Sequence, residues 1–198
     1  MPKKPYNPLM KIFFLGPEGT NSDLAARNIF KDGADYIPLP SIEDIFEKVA
    51  MSHSYYGVIP FENSYQGVIN SSLNCLIDYD LKILKEFNFS VSHNLCSLNE
   101  NCDLSTIKKI TSHPQVFGQC TNWMRNNIPD AEKIVATSTA EAASQAAEDK
   151  DLFCIANSYA IKIFNLHTHV ENIQDSKDNK PRFLVIGKSI EEKSDQNK

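Results

Sequence analysis

The chain has 198 residues, with 20 Lys and Arg against 25 Asp and Glu, for a net charge of −5. That acidic balance argues against a nucleic-acid binder, whose phosphate contacts need a basic face, but it leaves room for a local anion pocket. Hydrophobic residues make up 41% of the chain and charged residues 23%, the composition of a globular protein that builds its core without staples.

Residues 1–10 read as a flexible lead. Lys11–Leu15 is a short apolar run that stops at Gly16-Pro17, which reads as a strand and turn rather than a secretory signal. Ser22–Phe30 carries apolar residues at helical spacing, and Tyr36–Leu39 is a brief strand. Ser41 followed by Glu43 and Asp44 predicts a capped helix with Ile42, Ile45, Phe46 and Val49 on one face. Tyr56–Pro60 is a strand, and helical spacing returns at Val68, Ile69, Leu73, Leu76 and Ile77. Leu81–Leu95 reads as one long extended segment because Phe87, Phe89 and Val91 alternate. Beyond it come a strand at Ile107–Ile110, one helix at His113–Arg125, a strand at Ile134–Thr137 and an Ala-rich helix at Thr139–Ala147. A strand at Leu152–Ile155, a helix at Ser158–Phe164, an extended piece at His167–Ile173 and a last strand at Arg182–Ile186 follow. Residues 189–198 form a polar tail.

No apolar run approaches the roughly 20 residues of a membrane span, so the expected compartment is the cytoplasm. Strands separated by helices imply parallel sheets covered by helices. Two such halves joined by extended segments predict two lobes, one from about 11–90 plus 175–188 and one from about 91–174, with a cleft between. Ligands in such folds sit beyond the carboxyl ends of the strands, so the loops there hold the candidate site. The cysteines Cys75, Cys96, Cys102, Cys120 and Cys154 are odd in number and form no C-x-x-C pair. Neither a disulfide framework nor a zinc site is expected from them.

Five loops carry chemistry-bearing residues. Gly16-Pro17-Glu18-Gly19-Thr20-Asn21-Ser22 pairs a flexible turn with hydroxyls at a helix start, where backbone N–H groups can meet an anion. Glu62, Asn63 and Ser64 put an acid/base, an amide and a hydroxyl side by side. His113 could carry a proton near neutral pH, and Gln115 and Gln119, four apart, share a helix face. Ser138 and Thr139 open a helix as hydroxyl donors, and Arg182 presents a planar fork suited to a carboxylate. Each pattern, alone, is also that of an ordinary turn, cap or salt bridge.

Their order and spacing together resemble the prephenate dehydratase family across roughly residues 11–188. The shared motifs are G-P-E-G-T-x-S, P-x-E-N-S-x-x-G, S-H-P-Q-x-x-x-Q-C, S-T-A-x-A-A, and N-I-x-D followed by N-x-x-R-F. The resemblance implies a bilobed α/β fold like the type II periplasmic binding proteins, a homodimer or homotetramer, and no metal or organic cofactor. It implies a lyase that converts prephenate to phenylpyruvate in phenylalanine biosynthesis, with Glu62, Asn63, Ser64 and Gln115 in catalysis. Thr20, Ser22, His113, Ser138, Thr139 and Arg182 would then bind substrate.

Two departures stand out. The family's last motif reads Thr-Arg-Phe, and that threonine is taken as catalytic; here the position is Pro181, which has neither a hydroxyl nor a backbone N–H. Asn21 stands where the family commonly has an aromatic residue. The family's C-terminal ACT regulatory domain is also not expected in this chain. These features leave three readings open: a dehydratase, a sibling prephenate decarboxylase that keeps the hydroxyl, or a binding protein without turnover. The intact Glu62-Asn63-Ser64 segment, which tends to be altered in the decarboxylases, ranks the dehydratase first.

Overall fold

The structure is a computed structural model and describes residues 10–31, 33–63, 67–88, 90–176 and 180–188. Ser64, most of the expected lead and the expected tail lie outside the described residues.

The first half alternates as its periodicity predicts. β1 (Lys11–Leu15), α1 (Asn21–Phe30), β2 (Asp35–Leu39), α2 (Ile42–Val49) and β3 (Tyr55–Asn63) follow in order. A two-residue β4 (Gly67–Val68) folds back on β3, and α3 (Asn70–Asp78) leads to β5 (Lys82–Asn88). β6 (Asn94–Ser97) then opens a second sheet, continued by β7 (Lys109–Ser112), α4 (Pro114–Gln119), α5 (Thr121–Asn127) and β8 (Glu132–Val135). α6 (Thr139–Glu148), β9 (Leu152–Ala156), α7 (Ser158–Ile163) and β10 (His167–Val170) complete it, and β11 (Arg182–Gly187) returns to the first sheet.

The first sheet has the order β2-β1-β3-β11-β5 with β4 alongside β3, and the second has the order β10-β6-β9-β7-β8. This is the two-lobed α/β architecture expected, but both sheets are mixed. β1 runs parallel to β2 and β3, and β7 runs parallel to β8 and β9. The strands reached by extended crossings rather than helices are antiparallel to their neighbours, as β11 is to β3 and β5 and β6 is to β9 and β10.

Period-two alternation gives each sheet two cores. On the first sheet, Phe13, Ile59, Leu184 and Ile186 face α2 and α3, meeting Ile45, Phe46 and Val49. Ile12, Phe14, Val58, Phe183 and Val185 face the other way, toward Ala25 and Ala26 of α1. On the second sheet, Leu95, Ile110, Phe153 and Ile155 pack on Val116, Phe117 and Met124, while Cys96, Cys154 and Ala156 pack on the alanines of α6. All five cysteines are free thiols. No helix among the described residues is long and apolar enough to cross a membrane.

Two predicted elements divide. The extended segment Leu81–Leu95 is two strands in different sheets, because alternation reports an extended backbone and not which strand pairs with it. The helix His113–Arg125 breaks at Cys120, where the Asp175 carboxylate accepts the Asn122 and Trp123 N–H groups at 2.9 and 3.1 Å and caps α5. A cap more than fifty residues away leaves no local signal.

Gly57 sits where β3 is closest to its neighbours: an added Cβ would stand 2.7 Å from both Ile186 Cγ1 and Ile45 Cγ2. Both side chains lie in the packed core and have little room to yield. Gly57→Ala is therefore expected to destabilise the fold by about 1–3 kcal/mol, read as a lower urea midpoint with an unchanged slope.

Candidate active site between the sheets

The carboxyl ends of β1, β3 and β7 converge on a cavity of about 220 Å³, sized for a small metabolite. β1 delivers the start of α1, with Asn21 and Ser22 on the wall; β3 delivers Pro60, Glu62 and Asn63; α4 contributes Gln115, Val116 and Gln119. Val91 and His93 come from the crossing between the sheets, Ile69 from the segment before α3, and Pro181 and Phe183 from the start of β11. Neither lysine nor arginine is among these lining residues. A surface depression of about 550 Å³ beside α2 and α3 is larger, but it gathers none of the predicted residues.

The loop after β1 is held by buried bonds. Asp23, fully buried, accepts the Gly19 N–H at 2.9 Å and the Arg27 Nε–H at 2.7 Å. Gly19 has φ 84°, and its position lies against Ala140 and Ala160 of the second lobe, so it needs both glycine's freedom and its lack of bulk. Asn157, at the end of β9, donates from Nδ2 to the Gly19 carbonyl at 2.9 Å and to Asn21 Oδ1 at 3.0 Å. The second lobe thus fixes the amide of Asn21, the residue that replaces an aromatic in the motif.

The predicted residues separate into two groups. Ser22, Glu62, Asn63 and Gln115 come together on the cavity. Gln115 Nε2 is buried without a hydrogen-bond partner among the described residues, and a buried donor in that state costs about 1–3 kcal/mol unless a ligand or water meets it. Four others act as local structure. Thr20 caps α1, accepting from Asp23 N–H and donating to the Leu15 carbonyl. His113 caps α4, its Nδ1 accepting the Gln115 N–H at 3.2 Å. Ser138 caps α6, accepting the Glu141 N–H at 3.0 Å while Glu141 bonds back to Thr137, a form of capping box. Thr139 is buried in the first turn of α6.

Arg182 stands behind the wall. Its guanidinium lies 3.4 Å from Glu62 and 3.4 Å from Glu86 and stacks on the Phe61 ring at 4.9 Å. It neutralises two carboxylates of its own sheet and steers Glu62. Cys120 is an inert core thiol, pushed up to about 12 by burial and then by the Asp175 charge.

Sequence reasoning did not single out His93, which is 1% exposed and lines the cavity. Its Nε2 lies 2.5 Å from Gln119 Oε1, and Nδ1 makes no hydrogen bond among the described residues. The available signal was a histidine interrupting the apolar alternation just before Asn94, where the chain changes sheets. Among the described residues, no group of three or more His, Cys, Asp and Glu converges as a metal site.

This wall offers amide and hydroxyl donors, the positive end of α1, one carboxylate and an imidazole. Helix ends and neutral donors can hold carboxylates without a cation, and the carboxylate can move a proton.

The prephenate dehydratase family model matches residues 12–191. A bifunctional chorismate mutase/prephenate dehydratase of Aquifex aeolicus is 35% identical over 179 residues, covering 90% of this chain and 49% of the relative. A prephenate dehydratase of Methanocaldococcus jannaschii is 35% identical over 187 residues, covering 90% of this chain and 65% of the relative. The crystal structure of prephenate dehydratase in complex with L-Phe from Arthrobacter aurescens superposes with a TM-score of 0.82 at 25% identity, covering 91% of this chain and 61% of that one. The chain thus spans about half the length of the bifunctional relatives it matches.

Burial holds the rings of His93, His113 and His169 below the usual histidine range. Above about pH 6.5 these rings are neutral in the folded and the unfolded chain. As pH falls through that value the unfolded chain takes up protons that the folded one resists, so stability declines until the lower folded values are reached. Urea midpoints are expected to fall between about pH 7.5 and pH 5.5, and a His93→Gln variant should show a shallower fall.

Proposed function

Because the chain belongs to the prephenate dehydratase family, we propose that it is a carbon–oxygen lyase converting prephenate to phenylpyruvate, carbon dioxide and water in the cleft between the sheets. The observation that carries this is the meeting of Ser22, Glu62, Asn63 and Gln115, from three distant chain segments, on one cavity whose lining among the described residues holds no cation.

Prephenate is a dianion with one hydroxyl. Loss of the ring carboxylate as carbon dioxide leaves an electron pair that completes the aromatic ring as the C4–O bond breaks. The departing oxygen needs one proton to leave as water. Asn63, Gln115 and Ser22 donate hydrogen bonds to the carboxylates, helped by the first turn of α1. Glu62 is the proton donor, and Arg182, shared with Glu86, holds it in place. Pro181 on the wall supplies no hydroxyl, so that position does not provide the proton. The reading takes the protein as a cytoplasmic homodimer or homotetramer, as the family resemblance implies. Exposed Leu73 and Ile77, one turn apart on α3, offer apolar surface to a second copy.

Purified protein incubated with prephenate is expected to release phenylpyruvate, identified by mass. A decarboxylated product that retains the hydroxyl, or saturable binding without product, would overturn the reading. Asn63→Ala should lower kcat/KM by about 10²–10³-fold, the usual loss of a preorganised donor. Pro181→Thr restores a hydroxyl beside the leaving oxygen and should raise kcat at least about tenfold, within the range of general-acid assistance. An unchanged kcat would show that Glu62 already saturates that role.

A further inference from the structure

His93 occupies a junction that the catalytic scheme leaves unused. It sits at the point where the chain leaves the first sheet, immediately before β6, and is buried. Its backbone joins the two crossings between the lobes: the His93 N–H donates to Gln174 Oε1 at 3.0 Å, and the His93 carbonyl accepts the Ile173 N–H at 2.8 Å. Beside it, Asn94 Oδ1 accepts the Asn172 N–H at 3.1 Å. Its ring reaches the cavity wall on the other side, with Nε2 2.5 Å from Gln119 Oε1. Gln119 in turn accepts the Asp175 N–H on its backbone carbonyl at 2.7 Å, closing a loop of contacts from one crossing through α4 to the other.

In this structure the amide oxygen of Gln119 faces Nε2. An amide oxygen only accepts, and with this orientation Nε2 carries the proton and Nδ1 a lone pair. Burial disfavours a second proton and keeps the ring neutral near pH 7. The single donor of a neutral imidazole is therefore committed to one amide. Holding its oxygen orients the Gln119 amide on the helix face it shares with Gln115.

We propose that His93 is a positioning residue: its Nε2–H orients the Gln119 amide and registers the Gln115–Gln119 face of α4 against both crossings between the lobes. It touches no reacting atom in this role. The kinetic part of the test rests on the dehydratase reading above, and the structural part does not.

The side chains of Gln and Asn separate this role from mere filling of space. A Gln at position 93 can place its amide N–H near the site of Nε2, whereas Asn is one bond too short and Leu has no donor. His93→Gln is expected to keep kcat within about threefold of the parent. His93→Asn and His93→Leu should lose about 10²-fold in kcat, as misplacement of a catalytic group by about 1 Å does, with a much smaller change in KM. Denaturant midpoints measured on the same samples identify any variant that fails to fold. The spectroscopic readout uses the parent protein without substrate: imidazole 15N shifts should report the Nε2–H tautomer, and Gln119→Leu should release that preference.

A folded His93→Leu protein with parental kcat would overturn the proposal, as would a His93→Gln protein as impaired as His93→Leu. An Nδ1–H tautomer in the free protein would overturn it as well. If the parent makes no phenylpyruvate, it is the dehydratase reading that fails, and the tautomer and its dependence on Gln119 then decide the His93 proposal alone.

Discussion

The insertion of β11 between β3 and β5 is the constraint on which the rest of the molecule depends. The strand pairs antiparallel on both sides, placing Arg182 opposite Glu62 in one register and opposite Asn88 in the other. It closes the first sheet with residues from the far end of the chain, so the whole second sheet becomes an excursion out of the first. The chain must therefore cross twice between the lobes, and the two crossings lie side by side, bonded through His93, Asn94, Asn172 and Ile173. The cavity lies where they meet. The same pairing brings Pro181 and Phe183 onto the cavity wall with Glu62 and Asn63.

A second link fastens the lobes from the other end. Gly19 lies against Ala140 and Ala160, and Asn157 bonds both the Gly19 carbonyl and the Asn21 amide. The loop that supplies Ser22 to the cavity is therefore gripped by the opposite lobe, and Asp23 braces it from within its own. One glycine and two asparagines hold a surface that otherwise would have to be ordered at the moment of binding, when the entropy of fixing it opposes association.

The electrostatics of the cleft follow from the same architecture. Arg182, at the start of β11, is committed to Glu62 and Glu86. In the proposed reading, anion affinity falls to amides, a hydroxyl and the start of α1, which carry partial rather than full charge.

Sequence alone determined the strands and helices whose periodicity is local, the face that each buries and the α/β class. Ile42, Ile45, Phe46 and Val49 show the clearest case, since an amphipathic stripe records burial directly. The convergence of Ser22, Glu62, Asn63 and Gln115 was legible because α/β sheets gather their loops at the strand ends. Only the tertiary structure decided that Thr20, His113 and Ser138 spend their hydrogen bonds as helix caps, because a capping residue and a ligand-binding residue have the same chemistry and the same place in the chain. It also decided that Arg182 serves Glu62 and Glu86, that α4 and α5 are separate, and that His93 lies on the cavity. Each of these depends on a partner dozens of residues away or on a neighbouring strand, and periodicity, which reports only which face of an element is buried, carries no record of what lies across from it.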